Sequence, residues 1–160
     1  MRGFGILEIV IAVSIISATI FSLSFVFIMA SRLESESLNK IRANFIAEEG
    51  LEAMRFLRDQ SWAANLGSLS AGTTYYLAFT TTTSTWSAGT NGSEIDNLFL
   101  RKVTAENVSR DPSTQNIESI YNAANNDPDT KKINVSVEWQ ERSATKMVNI
   151  SAYLSDIFDN

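Results

Sequence analysis

The stretch that decides the fold is residues 4–31, FGILEIVIAVSIISATIFSLSFVFIMAS. From Ile9 to Ser31 it runs for 23 residues without a charge, a glycine or a proline. At about 1.5 Å per helical residue this run spans roughly 34 Å, enough to cross a hydrocarbon core of about 30 Å. The run therefore predicts a membrane-spanning helix. The carboxylate of Glu8 lies at its edge, where burying a charge is costly, so Glu8 is a candidate functional residue.

The apolar run is too long for a cleaved secretory signal, whose apolar core is typically about 7–15 residues. The sequence Ile28-Met29-Ala30-Ser31 also lacks the small-residue pattern of a signal cleavage site. We therefore expect a retained anchor. Arg2 is the only charge before Glu8 and favours a cytoplasmic N-terminus, with the remainder of the chain exported.

Composition excludes several classes of function. The 160 residues carry a net charge of −5, which argues against a nucleic-acid partner because such proteins usually present a basic face. The chain contains neither cysteine nor histidine. Disulfides, Ser-His-Asp and Cys-His catalysis, and thiolate- or histidine-ligated zinc are therefore impossible. We expect no enzyme and no cofactor.

The first residues carry a resemblance to a known family. Arg2–Glu8, RGFGILE, followed by a long apolar helix, resembles the processing site of bacterial type IV pilins and of type II secretion pseudopilins. The resemblance implies cleavage between Gly3 and Phe4 by a prepilin peptidase, methylation of the new amino group of Phe4, and a role for Glu8 in assembly. Two features depart from the family pattern: Gly5-Ile6-Leu7 stands where Thr or Ser and then Leu-Ile are usual, and the leader is short.

The same resemblance implies an organisation and a set of partners. Residues 1–3 are the leader, 4–31 the transmembrane and filament-core half of a long helix, 32–62 its amphipathic half, and 63–160 a globular β-sheet region. The implied partners are other pilin or pseudopilin subunits, the prepilin peptidase, an inner-membrane assembly platform and, before assembly, the lipid bilayer. The implied location is the cytoplasmic membrane and afterwards a periplasmic or extracellular filament.

Beyond Ser31 the sequence predicts that the helix continues to about Trp62. No proline occurs before Pro112, and apolar residues recur at helical spacing. A broad apolar face is predicted to meet the chain's own sheet, and a narrower strip on another side to meet neighbouring subunits. The broad face comprises Leu38, Ile41, Phe45, Ile46, Ala53, Phe56 and Leu57, and the strip comprises Ala47, Leu51 and Trp62.

Period-two patterns in the C-terminal part predict strands. The clearest pair is Ile133–Gln140 and Met147–Leu154, where apolar and polar residues alternate on both sides of a polar turn, as in an antiparallel hairpin. Further strands are predicted within Thr73–Trp86 and Asn97–Val108, and loops over Asn65–Gly72 and Ser87–Asp96. A sheet of three to four antiparallel strands against the long helix gives an α+β, pilin-like fold.

Two polar clusters allow more than one interpretation. Oxygen donors over residues 125–130 make Asp127 and Asp129 a weak calcium candidate, but the spacing is not that of an EF-hand, and an ordinary turn is the favoured interpretation. Glu48, Glu49 and Glu52 are interpreted as surface partners of nearby arginines, chiefly Arg55 for Glu52, and not as a carboxylate site.

The sequence thus favours a filament subunit of the pilin or pseudopilin class, with a minor or pseudopilin role. Two alternatives remain open at this point. One is a single-pass, membrane-anchored adhesion or receptor domain that does not polymerise. The other is an anchored hydrolase using carboxylate or Ser/Lys chemistry, for which no paired site is evident.

Overall fold

A computed structural model describes residues 5–158, and within that range the chain forms one long helix and a five-stranded sheet. Arg2, Gly3 and Phe4 lie outside the described residues. The helix is α1 (Ile6–Gln60), and a single π-helical turn follows it at Trp62–Leu66. The strands are β1 (Thr74–Thr80), β2 (Thr85–Gly89), β3 (Phe99–Ser109), β4 (Asn126–Glu141) and β5 (Ala144–Ser155).

The layout is the predicted α+β arrangement, a long N-terminal helix packed against an antiparallel sheet, consistent with a pilin-like fold. The strand order is β2-β1-β3-β4-β5, and every neighbouring pair is antiparallel. The chain divides into two compact units, Met1–Asn39 and Lys40–Asn160, which are described separately below. The second unit holds the hydrophobic core.

The N-terminal unit contains the apolar part of α1, which is long and apolar enough to cross a membrane. Four of its hydroxyl side chains are satisfied by the helix itself. Ser14, Ser22 and Ser24 each donate a hydrogen bond to the carbonyl four residues earlier, and Thr19 donates to Ile16, at 2.7–2.9 Å. Because these hydroxyls have intrahelical acceptors, they add little cost to placing the helix in a bilayer.

In the second unit α1 meets the sheet through small side chains, which corrects the predicted face. Ala43, Ala47 and Gly50 are buried on the sheet, together with Met54 and Leu57. Small residues let the helix backbone approach the strands closely, so the helix seats along this strip. Of the face predicted to meet the sheet, Ala53 and Leu57 are buried and Ile46 is half-buried, whereas Ile41, Phe45 and Phe56 are exposed, as is Leu38 in the first unit.

The sheet has five strands, where three to four were predicted, because the threonine-rich segment folds back as a hairpin. β1 and β2 pair from Thr80↔Thr85 to Tyr76↔Gly89. Ser84 supplies the positive φ of 52° that the reversal requires. The prediction of a loop from Ser87 was therefore wrong for its first three residues, which belong to β2.

The C-terminal hairpin is confirmed, with a tighter turn than predicted. The register runs without a shift from Thr130↔Ser155 to Glu141↔Ala144, so Arg142 and Ser143 alone form the turn. The prediction of an ordinary turn over residues 125–130 was wrong, because β4 begins at Asn126. Asp127 pairs with Val108 and Lys131 with Asn107, so Pro128, Asp129 and Thr130 bulge away from β3. A bulge accommodates Pro128, which has no N–H to donate to a ladder.

Candidate functional site

Glu8 lies in the first turn of α1, and its carboxylate is exposed. Its Oε2 accepts a hydrogen bond from the Gly5 N–H at 3.1 Å. This is one half of a capping box, in which the third helical residue reaches back to the N–H of the residue before the helix. Glu8 therefore has a local role in the single chain, and its second oxygen and its exposed charge remain accessible to another group.

The predicted processing site cannot be placed beside Glu8, because Gly3 and Phe4 lie outside the described residues. Gly5 is described and precedes the first helical residue, Ile6. A β-carbon added at Gly5 would contact no described atom within 4 Å, so packing in the isolated chain does not require glycine there.

The exposed side of α1 in the sheet-bearing unit carries three large apolar side chains among charged ones such as Glu48 and Glu52. Ile41, Phe45 and Phe56 are 48%, 66% and 41% exposed, although each belongs to a helix whose opposite side is buried. At 100° per residue these three positions fall within about 60° of one another, on the side away from Ala43 and Gly50. Large apolar side chains left exposed on an otherwise well-packed helix are candidates for contact with a partner.

A buried arginine that sequence reasoning missed joins the helix to the sheet. Arg101 on β3 is 5% exposed. Its Nη1 donates to Oε2 of Glu49 at 2.7 Å and to the Ile46 carbonyl at 3.2 Å. The guanidinium also lies 5.2 Å from the ring of Trp86, within cation–π range. Arg101 thus connects α1, β3 and β2 in one contact.

A signal for this contact was present in the sequence. From Phe99 to Ala105 β3 alternates buried and half-buried residues, and Arg101 falls in the buried row between Phe99 and Val103. A cation in a buried row requires a carboxylate or carbonyl partner. The partner, Glu49, was assigned to surface pairing, so the assignment of that glutamate was wrong. The pairing of Glu52 with Arg55 is confirmed.

The calcium candidate lies beside a cation. Oδ2 of Asp127 accepts from Nε of Arg110 at 2.6 Å, and Oδ1 accepts from the Asp129 N–H at 3.0 Å. Burial by itself would raise the pKa of Asp127, but the hydrogen bonds from Arg110, Thr130 and the Asp129 N–H, with the charge of Arg110, lower it below its usual value. Within residues 5–158 no three acidic side chains are grouped to hold a metal ion.

Comparison of the chain with protein-family models, with curated proteins and with solved structures finds no match. No family is therefore shown for this chain, and the likeness to pilins rests on the resemblance of Arg2–Glu8 and the apolar helix alone. The fold is of the kind that this resemblance implies.

Proposed function

We propose that this protein is a structural subunit of a type IV pilus-like or type II secretion filament, in a minor-pilin or pseudopilin role. It is held in the cytoplasmic membrane by α1, processed between Gly3 and Phe4, and packed through α1 into the filament. The observation that carries the proposal is Glu8, an exposed carboxylate in the first turn of a helix that is otherwise apolar for 23 residues. The basic-glycine-aromatic sequence before it supports the same assignment.

The charge of Glu8 supplies a reason for one subunit to recognise another. A carboxylate at the edge of a bilayer or a helical bundle favours a nearby cation, and cleavage after Gly3 would create one, the ammonium group of Phe4 in a neighbouring subunit. Inside a bundle, leaving one member of such a pair without its partner costs about 3–5 kcal/mol. This cost both favours docking and fixes the register of the incoming helix.

The sheet-bearing unit supports the proposal through the faces of its helix. The sheet covers the small residues Ala43, Ala47 and Gly50. The row of Ile41, Phe45 and Phe56 is left exposed. In the proposed filament this row packs against the helices of neighbouring subunits. These side chains are already about half buried in the single chain, so completing their burial would contribute roughly 1 kcal/mol each.

Processing is tested by matched glycine substitutions in cells that contain the native peptidase. Gly3→Val is expected to abolish the decrease in mass that accompanies cleavage, and to abolish filaments. Gly5→Ser, which restores a residue usual in the family, is the control and is expected to be cleaved normally. N-terminal mass spectrometry reports cleavage and methylation of Phe4 together. Cleavage of Gly3→Val at the same bond would refute the assigned site.

Assembly is tested at Glu8 with a substitution that separates its charge from its cap. Glu8→Gln retains an oxygen that can accept the Gly5 N–H, but it removes the charge. We expect Glu8→Gln to be processed and yet to be lost from filaments. Glu34→Gln, which removes a carboxylate from α1 outside the apolar run, is the control.

The alternative is an anchored adhesion or receptor domain that does not polymerise. The hydrogen bond from the Gly5 N–H favours it, because that bond gives Glu8 a local role in a single chain. Under this alternative, Glu8→Gln behaves as the wild type in self-association, and the native N-terminus is intact by mass spectrometry.

A further inference from the structure

The two edges of the sheet differ in length, and β5 forms the longer one. β2, at one edge, has five residues, whereas β5 has twelve. Within the described part of the chain no strand pairs with the outer side of β5. Its sequence contains no proline, Lys146 is its only charge, and its register with β4 has no shift. The devices by which proteins usually block an edge are therefore few on β5.

The ladder shows which backbone groups of β5 face outward. The Asp156 N–H donates to the Asp129 carbonyl at 2.8 Å, one step beyond the last paired residues, Thr130 and Ser155. In an antiparallel ladder every second residue of a strand directs its N–H and C=O groups to the same neighbouring strand. Since Asp156 bonds to β4, the even-numbered residues of β5 direct their N–H and C=O groups to β4. The odd-numbered residues direct theirs to the open side: Thr145, Met147, Asn149, Ser151, Tyr153 and Ser155.

An incompletely covered apolar row accompanies this edge. Val148, Ile150 and Ala152 lie on the helix-facing side of β5 and are half-buried. Their cross-strand partners on β4, which are Val137, Val135 and Ile133, are fully buried. The side chains of β4 are therefore fully covered on this side of the sheet, whereas those of β5 are covered only in part. One more strand with apolar side chains on this side would complete the cover.

We propose that the β5 edge binds an extended segment of a partner protein, which adds to the sheet as a sixth strand. The segment alternates apolar and polar residues, so that its apolar side chains lie beside Val148, Ile150 and Ala152, and it carries a carboxylate near Lys146. Outward N–H and C=O groups at alternate residues are satisfied by an extended backbone, which makes a strand the matching occupant.

Two other occupants fit less well. A second copy offers its own β5, but symmetric antiparallel pairing would run the two copies of α1 in opposite directions. Copies anchored by α1 in one membrane present that helix in the same direction. The β2 edge of a second copy is five residues long and would leave more than half of β5 uncovered.

The test uses the full chain in detergent micelles and a dye-labelled synthetic peptide of residues 144–156, ATKMVNISAYLSD, which has the required alternation and ends in a carboxylate. Fluorescence anisotropy is expected to show saturable binding. Asn149→Pro removes an outward N–H while leaving the ladder to β4 intact, and is expected to weaken binding by about tenfold or more. Asn149→Ala, which retains the N–H, is the control and is expected to bind as the wild type.

A second arm leaves the protein unchanged. Peptides N-methylated at alternate residues are compared in two sets, one for each parity, and only one set is expected to lose binding, because only one row of peptide N–H groups faces β5. The proposal is overturned by a peptide that does not bind or by equal loss in both sets. It is also overturned if Asn149→Pro binds as well as or better than the wild type, because that result indicates exchange with β5.

Discussion

Gly50 offers the sharpest test of how α1 seats on the sheet. It is buried in the middle of the helix, and a β-carbon added there would lie 2.8 Å from Cδ of Arg101 and 2.9 Å from Cγ1 of Val135. Both distances are shorter than real contacts of this kind. Arg101 is held by Glu49 and the Ile46 carbonyl, and Val135 is fully buried, so neither neighbour moves freely.

The expected effect of Gly50→Ala is the sum of two opposing terms. Alanine in place of glycine in a helix is worth about 1 kcal/mol in favour of folding. Overpacking a close-packed contact costs about 1–3 kcal/mol. We therefore expect Gly50→Ala to lower the free energy of unfolding by roughly 1 kcal/mol, against the gain of about 1 kcal/mol that helix propensity alone would give.

The assay is urea unfolding of the full chain in detergent, followed by tryptophan fluorescence, since all three tryptophans lie in the sheet-bearing unit. Glu48→Gly and Glu48→Ala form the control pair, because Glu48 is exposed and their difference measures helix propensity without packing. In the double variant Gly50→Ala/Val135→Ala the space left by Val135 should accommodate the new methyl group. The decrease in the free energy of unfolding of the double variant should be smaller than the sum of the decreases in the two single variants by about 1 kcal/mol. A stabilised Gly50→Ala, or strictly additive losses, would refute the close-approach argument.

Three further predictions follow from individual side chains. Glu49→Ala removes the carboxylate that pairs with the buried Arg101 and should lower the unfolding free energy by about 1–2 kcal/mol. The decrease is smaller than for a fully buried pair because Glu49 is half-exposed. Glu48→Ala, the control in the same urea assay, should change the unfolding free energy by less than about 0.5 kcal/mol. The folded-state pKa of Asp127 is lowered, so its carboxylate stabilises the fold above the unfolded-state pKa, and this contribution is lost as the pH falls through the folded pKa. Asp127→Asn should therefore flatten the acid limb of stability measured against pH, and an unchanged limb would contradict the assignment. Phe45→Ser should leave the unfolding free energy within about 0.5 kcal/mol of the wild type, because Phe45 is exposed, but it should reduce filament yield on electron micrographs; normal yield would count against the proposed packing row.

The elements that were predicted correctly are those whose sequences show a local periodicity of apolar residues. The apolar run and the proline-free segment after it predicted a helix ending near Trp62, and α1 ends at Gln60. The alternation in Ile133–Gln140 and Met147–Leu154 predicted the C-terminal hairpin, which β4 and β5 form. In each case neighbours a few residues apart contain the necessary information.

The candidate site was predictable only in part. The position of Glu8 at the start of a long apolar helix follows from the sequence, and the structure adds the hydrogen bond from Gly5. Glu49 and Arg101 are 52 residues apart, so no local pattern pairs them. The position of Arg101 in the buried row of β3 indicates that it needs a partner. Only the packing of the sheet on the helix shows that this partner is Glu49.

The sequence by itself determined that this chain has a membrane-length apolar helix with Glu8 at its edge, and that antiparallel strands follow it. Only the tertiary structure decided which side of α1 meets the sheet. Amphipathic periodicity favoured the larger apolar side chains for the core, but Ala43, Ala47 and Gly50 allow a closer approach, and the sheet therefore packs on them. The larger side chains Ile41, Phe45 and Phe56 are left exposed. Burial is decided by how two surfaces fit, and neither surface alone contains that information.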